Sequence, residues 1–262
     1  MAADVRSAEA MPADHATRGA SPHRWQFLLV YGTLGAVLAL AGVVIYAGRS
    51  ISPGPTWSAW KPHGGGLGAA KEIADHVGSG YRLPGGKQLV DVIAKAPSVS
   101  PSIQTIPIHY VAVRGTKGAG DAIFPVDASN SLMFSLCGLG QSCAIATGKA
   151  SVERGTLVRR EILELALYTF KYVGGVSHVI AFMPPAVGNQ PQFAIYLQKS
   201  DLSNQLKLPL ARTLNAKVPL PTTINPSEQH TIDTVLQSRI YKFSLSQAQQ
   251  GDAILVLAPF KA

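Results

Sequence analysis

SVERGTLVRREILELALYTFKYVGG, residues 151–175, decides how the rest of the chain is read. Ser151 has the side chain of an N-cap, and Glu153 falls in the first turn, where a negative charge suits the helix dipole. Val158, Ile162, Leu165, Ala166 and Thr169 recur at helical spacing. Leu163, Leu167 and Phe170 widen that stripe. Glu153, Arg160, Glu164 and Lys171 fall opposite it, with Arg160 and Glu164 as i,i+4 partners. Gly155 weakens the first turn, and Gly174 and Gly175 supply a stop. So broad an apolar face calls for a sheet to cover it. The pattern predicts one long central helix packed on strands. Glu161 and Glu164 are three apart and flanked by arginines, which reads as a solvated, salt-bridging face.

The flanking sequence supplies the sheet. SLMFSLC (131–137) and IQTIPIHYVAVRG (103–115) are strand-like, the latter β-branched and aromatic and ended by Gly115 and TKGAGD. Residues 176–185 and 192–200 form two strands across a loop with proline and glycine, a hairpin signature. GDAILVLAPF (251–260), nearly all apolar, predicts a buried C-terminal strand. Helical spacing is read at 67–77, 86–95 and 230–246. The fold class expected is α+β, a mixed sheet of about five strands packed with helices, and no internal repeat is visible.

Composition points to one further element. Only 15% of the 262 residues are charged and 47% are apolar, a low charged fraction for a purely soluble domain. Trp25–Gly48 carries no charge over 24 residues, about 36 Å as a helix against a ~30 Å hydrocarbon core. Arg24 and Arg49 bracket it, and Trp25, Tyr31 and Tyr46 suit the two interfaces. The run is longer and starts later than the apolar core of a signal peptide. The expected organisation is a disordered tail at 1–24, a transmembrane helix at 25–48, a Pro/Gly-rich stalk at 49–66 and a globular domain at 67–262. Trp57 and Trp60 fall in the stalk, where they suit an outer membrane interface. Gly32, Ala36, Ala39 and Gly42 line one side of the span, a small-residue pattern compatible with dimerisation.

Arg6, Arg18 and Arg24 before the span outnumber Arg49 and Lys61 after it, which favours a cytoplasmic N-terminus and an extracytoplasmic C-terminal domain. Arg6, Arg18 and Arg24 also balance Asp4, Glu9 and Asp14, so the net +8 lies beyond the tail. That charge would attract membrane lipid headgroups or anionic envelope polymers. The basic residues are scattered without interleaved aromatics, which points away from nucleic acid.

The two cysteines, Cys137 and Cys143, lie in the glycine-rich SLCGLGQSCAIATGKAS. A phosphate loop is excluded, because Gly148-Lys149 is followed by Ala150 and the first glycine position is Cys143. A metal knuckle lacks the usual spacing and a second pair. A reactive thiol has no signature around it. A disulfide asks least, since Gly138 and Gly140 let the chain fold back, and it suits an oxidising exterior. Arg154 and Arg159, at the start of the following helix, are candidates for holding an anion. No nucleophile elbow, HExxH motif or acidic metal cluster occurs. No catalytic, cofactor or metal residue is assigned. The function expected is a single-pass protein presenting a binding, sensing or scaffolding domain at a bacterial envelope, toward a polymer or an envelope protein. The alternative is a membrane-anchored thiol-dependent enzyme using Cys137 or Cys143.

Overall fold

In the computed structural model, which describes residues 24–49, 56–99, 105–117, 120–248 and 252–260, the central helix α3 runs Val152–Tyr172. Ser151 caps it, its hydroxyl accepting the Arg154 N–H at 3.3 Å. Past its end, Gly175 takes φ +77°, a conformation glycine adopts without steric cost. The chain then enters β6, His178–Phe182, which pairs in parallel with β5, Ser131–Cys137. The strand–helix–strand order is the one expected from residues 131–182; the parallel crossover comes from the structure.

The chain divides into two units, Met1–Gly54 and Pro55–Ala262. The first contains helix α1, Arg24–Arg49. Its described side chains, 29–43, are all exposed. Among the described residues no helix is long and apolar enough to cross a membrane; the 15 residues of 29–43 rise only about 22 Å. The expected disordered tail lies outside the described residues, as do stalk residues 50–55.

In the second unit the sheet has nine strands where about five were expected. Its order is β1-β5-β6-β7-β8-β9-β3-β2, with β4 paired to β3. The remaining strands are β1 (Asp91–Lys95), β2 (Ser98–Val99), β3 (Ile106–Lys117), β4 (Gly120–Asp127), β7 (Phe193–Gln198), β8 (Ile240–Gln247) and β9 (Ala253–Pro259). The β5–β6 and β3–β9 pairs are parallel and the others antiparallel. Two segments expected as helices contain strands, at 91–95 and from residue 240, while 230–236 is helical as expected. In 86–95, Val92 and Ala94 are buried while Asp91 and Ile93 are exposed, a period of two that fits pairing with β5. In 230–246, beyond the short helix α4 (Ser203–Lys207), the helix α5 (Pro226–Leu236) ends early, and from Ile240 the chain is β8. In the stretch 116–121, expected to end a strand, residues 116–117 and 120–121 instead pair antiparallel between β3 and β4.

Alternation in the strands divides the core. Leu132, Phe134 and Leu136 of β5 join Val179, Ile195 and Leu197 under α2 (Gly66–Gly80), α3 and α5. Met133, Ile180 and Tyr196 face the other way and pack with Val111 of β3 and Leu255 and Leu257 of β9. The sheet therefore curls over its own back face while the helices cover its front.

The cysteine loop joins β5 to α3. Cys137 and Cys143 form a disulfide with Cα atoms 4.4 Å apart. The Gly138 N–H donates to Cys143 O and the Gly140 N–H to Ala144 O, each at 2.8 Å. A Cβ on Gly138 would stand 2.3 Å from the Ala144 carbonyl, so the loop closes only with glycine there. Ser142 and Cys143 both take positive φ, 53° and 66°, and the crosslink and two backbone bonds hold them in that conformation. Replacing both cysteines by serine is expected to lower stability by about 2 kcal/mol, the loop-closure value for so short a ring. Chemical denaturation of oxidised wild type, reduced wild type and the double variant measures this; coincident curves would refute it.

Candidate functional site

Arg160, Glu164, Tyr168 and Tyr172 stand four apart on α3 and so share one face. Of the polar stripe read from the sequence, Glu153 and Lys171 are exposed, but Arg160 and Glu164, and with them Glu161, are not the solvated face expected. Arg160 and Glu161 are 0% exposed, and the Glu164 side chain is 14% exposed. The stripe is covered by α2 and Tyr81 on one side, by the loop around Asn215 and α5 on another, and by residues 56–60, which precede α2.

At the inner end Arg160 is bonded through all three of its nitrogens. Its Nε donates to Glu228 Oε1 at 2.9 Å, its Nη2 to Asn215 O at 2.7 Å, and its Nη1 to Glu164 Oε2 at 3.1 Å and to the Tyr81 hydroxyl. Tyr81 in turn donates to Glu164 Oε2 at 2.6 Å. Glu228, on α5, also accepts the Asn215 backbone N–H at 2.9 Å and its side-chain amide at 2.7 Å. Elements from four parts of the chain are thus tied to one guanidinium, whose planar fork suits several acceptors at once. Glu161 is on the same helix but faces none of these donors, and neither of its oxygens has a hydrogen-bond partner among the described residues. Burial pushes its carboxyl well above the usual carboxylate range; the Glu164 charge adds to the rise and Arg160 opposes it. Glu164 is raised mainly by burial as well, against the hydrogen bond from Tyr81 and the charge of Arg160.

At the outer end the stripe opens into a cavity of about 330 Å³. Trp57 and Trp60, His76, Glu164, Tyr168, Leu214 and Asn215 line it. Trp57 and Trp60 each meet Tyr168 edge to face, with centroids 5.4 Å apart at 87° and 75°. Trp60 stacks on His76 at 3.9 Å, and burial lowers the pKa of that imidazole. The Leu210 N–H donates to Trp57 O at 2.7 Å, which fixes the segment against the 210–216 loop. The Trp57 indole N–H is buried without an acceptor among the described residues. Glu164 spends Oε2 on both internal donors, while Oε1 has no hydrogen bond among the described residues.

No protein-family model, curated protein or solved structure matches this chain. The chemistry of the cavity therefore rests on its own residues. It offers aromatic faces in several directions, a carboxylate at its inner end and, among the described residues, no lysine or arginine in its lining; its one basic side chain there is the His76 imidazole stacked on Trp60. Lys171 is nearby, its Nζ 5.6 Å from the Trp57 ring centroid and donating to Leu206 O at 3.5 Å, but it does not line the cavity.

Sequence reasoning placed Trp57 and Trp60 in a stalk and missed His76 and Tyr168 altogether. One signal was available: two of only three tryptophans stand three positions apart in a chain that is 7% aromatic. Arg154 and Arg159, the expected anion pair, are not brought together. The Arg159 guanidinium is paired with Asp233 at 2.7 Å and bonded to Thr156 Oγ1 at 3.0 Å. Arg154 donates to Lys149 O at 2.9 Å and lines clefts near the disulfide loop that Arg159 does not reach. Among the described residues, no group of three or more His, Cys, Asp or Glu could hold a metal ion.

Proposed function

We propose that this chain is a membrane-anchored, non-catalytic binding protein whose α+β domain lies outside the cytoplasm and takes a small ligand in the Trp57–Trp60–Tyr168 cavity. The observation that carries this is the cavity itself, aromatic on several sides with one available carboxylate oxygen. Small-molecule sites share that composition, mostly apolar walls with a few placed polar groups. The Arg160 network beneath makes the site rigid: Glu164 is held by two donors, so its free oxygen keeps one direction without a ligand. Pre-ordering of that kind lowers the entropy lost on binding.

A catalytic role finds less support. Acid–base work by two carboxylates requires both to reach substrate, and the second acid, Glu161, is sealed in the core. The thiol route needs a free thiolate, and both cysteines are consumed in the disulfide. The disulfide also supports an oxidising compartment, and the uncharged Trp25–Gly48 run within α1 supports an anchor.

Two measurements test the proposal. The full chain should remain with membranes through high-salt and carbonate washes and be released only by detergent; release by salt alone would rule out the anchor. For the cavity, small-molecule fractions of an envelope extract are assayed by thermal shift against wild type and Trp60→Leu. A fraction that stabilises wild type but not the variant supports the site. If no fraction distinguishes the two proteins, the cavity is packing and not a binding site.

A further inference from the structure

Resting on the reading of this cavity as a ligand site, we infer that its ligand is an organic ammonium ion, a quaternary or protonated amine seated among Trp57, Trp60 and Tyr168 with Glu164 as its counter-charge. The ring geometry comes first. Both tryptophans stand nearly perpendicular to Tyr168, at 87° and 75°, so these three rings form walls, with the His76 imidazole backing one face of Trp60 at 3.9 Å. Rings at right angles present negative π faces in more than one direction, the arrangement that recognises methylated ammonium groups. Lys171, outside the lining, takes one face of Trp57 at 5.6 Å, which leaves the ligand the other ring faces.

Charge balance is the second, independent observation. Among the described residues Arg160 is the one cation of the inner cluster, and it is bonded to both Glu164 and Glu228. One negative charge is left over, and the uncommitted acceptor, Glu164 Oε1, belongs to a residue that lines the cavity. An anion would be repelled by Glu164, and the one basic side chain in the lining among the described residues, His76, is held toward its neutral form by burial. A neutral sugar would need convergent donors and acceptors, yet the Asn215 amide is already given to Glu228. Size agrees as well: a cavity of about 330 Å³ admits a small amine or a single headgroup.

The test uses the full chain in a non-ionic, choline-free detergent and follows tryptophan fluorescence. Tetramethylammonium chloride is titrated against sodium chloride of equal ionic strength, with 3,3-dimethylbutan-1-ol as the uncharged analogue of the same shape. The expected result is a saturable change with the cation alone, at least about tenfold weaker for the neutral analogue. Trp60→Leu, which keeps an apolar side chain but removes the π face, should weaken binding about tenfold. Glu164→Gln should do the same through the lost charge, with near-ultraviolet circular dichroism confirming that it is folded. Equal binding of the neutral analogue would overturn the ammonium assignment while leaving the cavity as an apolar site. No saturable response to either probe would overturn the assignment too, and a Trp60-dependent shift by an envelope fraction would then keep the cavity as a site for another chemistry. Nanodiscs separate the two sources of ammonium. Loss of the response in phosphatidylcholine but not in phosphatidylglycerol points to a lipid headgroup, and a response retained in both points to a free amine.

Discussion

Arg160→Ala is expected to destabilise the domain by about 3–5 kcal/mol, the loss that follows when a buried ion pair keeps only one partner. The variant leaves Glu228, 4% exposed, with no counter-charge. It also frees the Asn215 carbonyl and takes one of two donors from Glu164. None of these groups can turn to water without opening the contact between α3, α5 and the 215 loop. In a domain of this size the shift in melting temperature would be on the order of 10 °C. Urea unfolding at neutral pH measures it. Arg160→Met with Glu228→Gln should recover part of the loss, because the penalty comes chiefly from uncompensated charge; recovery is incomplete because a glutamine cannot accept from both Asn215 donors. A single Arg160→Ala variant within about 1 kcal/mol of wild type would show that the cluster behaves as a surface salt bridge.

Glu161→Met should have the opposite sign. Glu161 is buried with both oxygens unpartnered, and an unsatisfied buried polar group costs about 1–3 kcal/mol. Methionine is of similar length, suits a helix and adapts to irregular space. Stabilisation of about 1–3 kcal/mol is therefore expected at pH 8. The pH dependence identifies the cause. Burial raises the folded-state pKa of Glu161 above 4.5, its ordinary value. Between the two values the native state holds a proton that the unfolded chain has released. Stability is then fully present below the unfolded pKa and falls as pH rises toward the folded one. The advantage of the methionine variant should accordingly be larger at pH 8 than at pH 4. Glu164, raised in the same direction, keeps part of the slope in the variant. Paired denaturation curves at the two pH values decide the matter: an equal or smaller gain at pH 8 would mean that Glu161 is not the group responsible.

Where periodicity was unmixed, the chain could be read directly. The apolar spacing from Val158 to Phe170, the Ser151 cap and the glycine stop defined α3, and the structure bears out each. The hairpin of β6 and β7, the C-terminal β9 and the 137–143 disulfide follow from short-range chemistry in the same way. Residues 86–95 and 240–246 failed because they admit two periods. In the first, Leu89, Val90, Val92 and Ile93 satisfy a helical spacing about as well as an alternating one. Pairing with β5 selects the strand, and that partner lies about forty positions away. In the second, Tyr241, Phe243 and Leu245 already alternate with Lys242, Ser244 and Ser246, but the adjoining helical run masks the change of period.

The candidate site was the least legible part, and its failure has one physical source. Local patterning records which residues are polar, not whether a polar residue meets water. On α3 the charges occupy the side that an amphipathic helix ordinarily exposes. The sequence alone therefore determined the central helix, its cap, the disulfide loop and an uncharged segment near the N-terminus, all governed by interactions within a few turns or residues. Only the tertiary structure decided that Tyr81, Asn215 and Glu228 close over Arg160, and that Trp57 and Trp60 fold onto Tyr168 to form a cavity. Those contacts join positions about 55 to 110 residues apart. Burial, partner and charge at such a point are properties of the assembled layers, and a stripe of charge is exposed or buried according to what the rest of the chain lays over it.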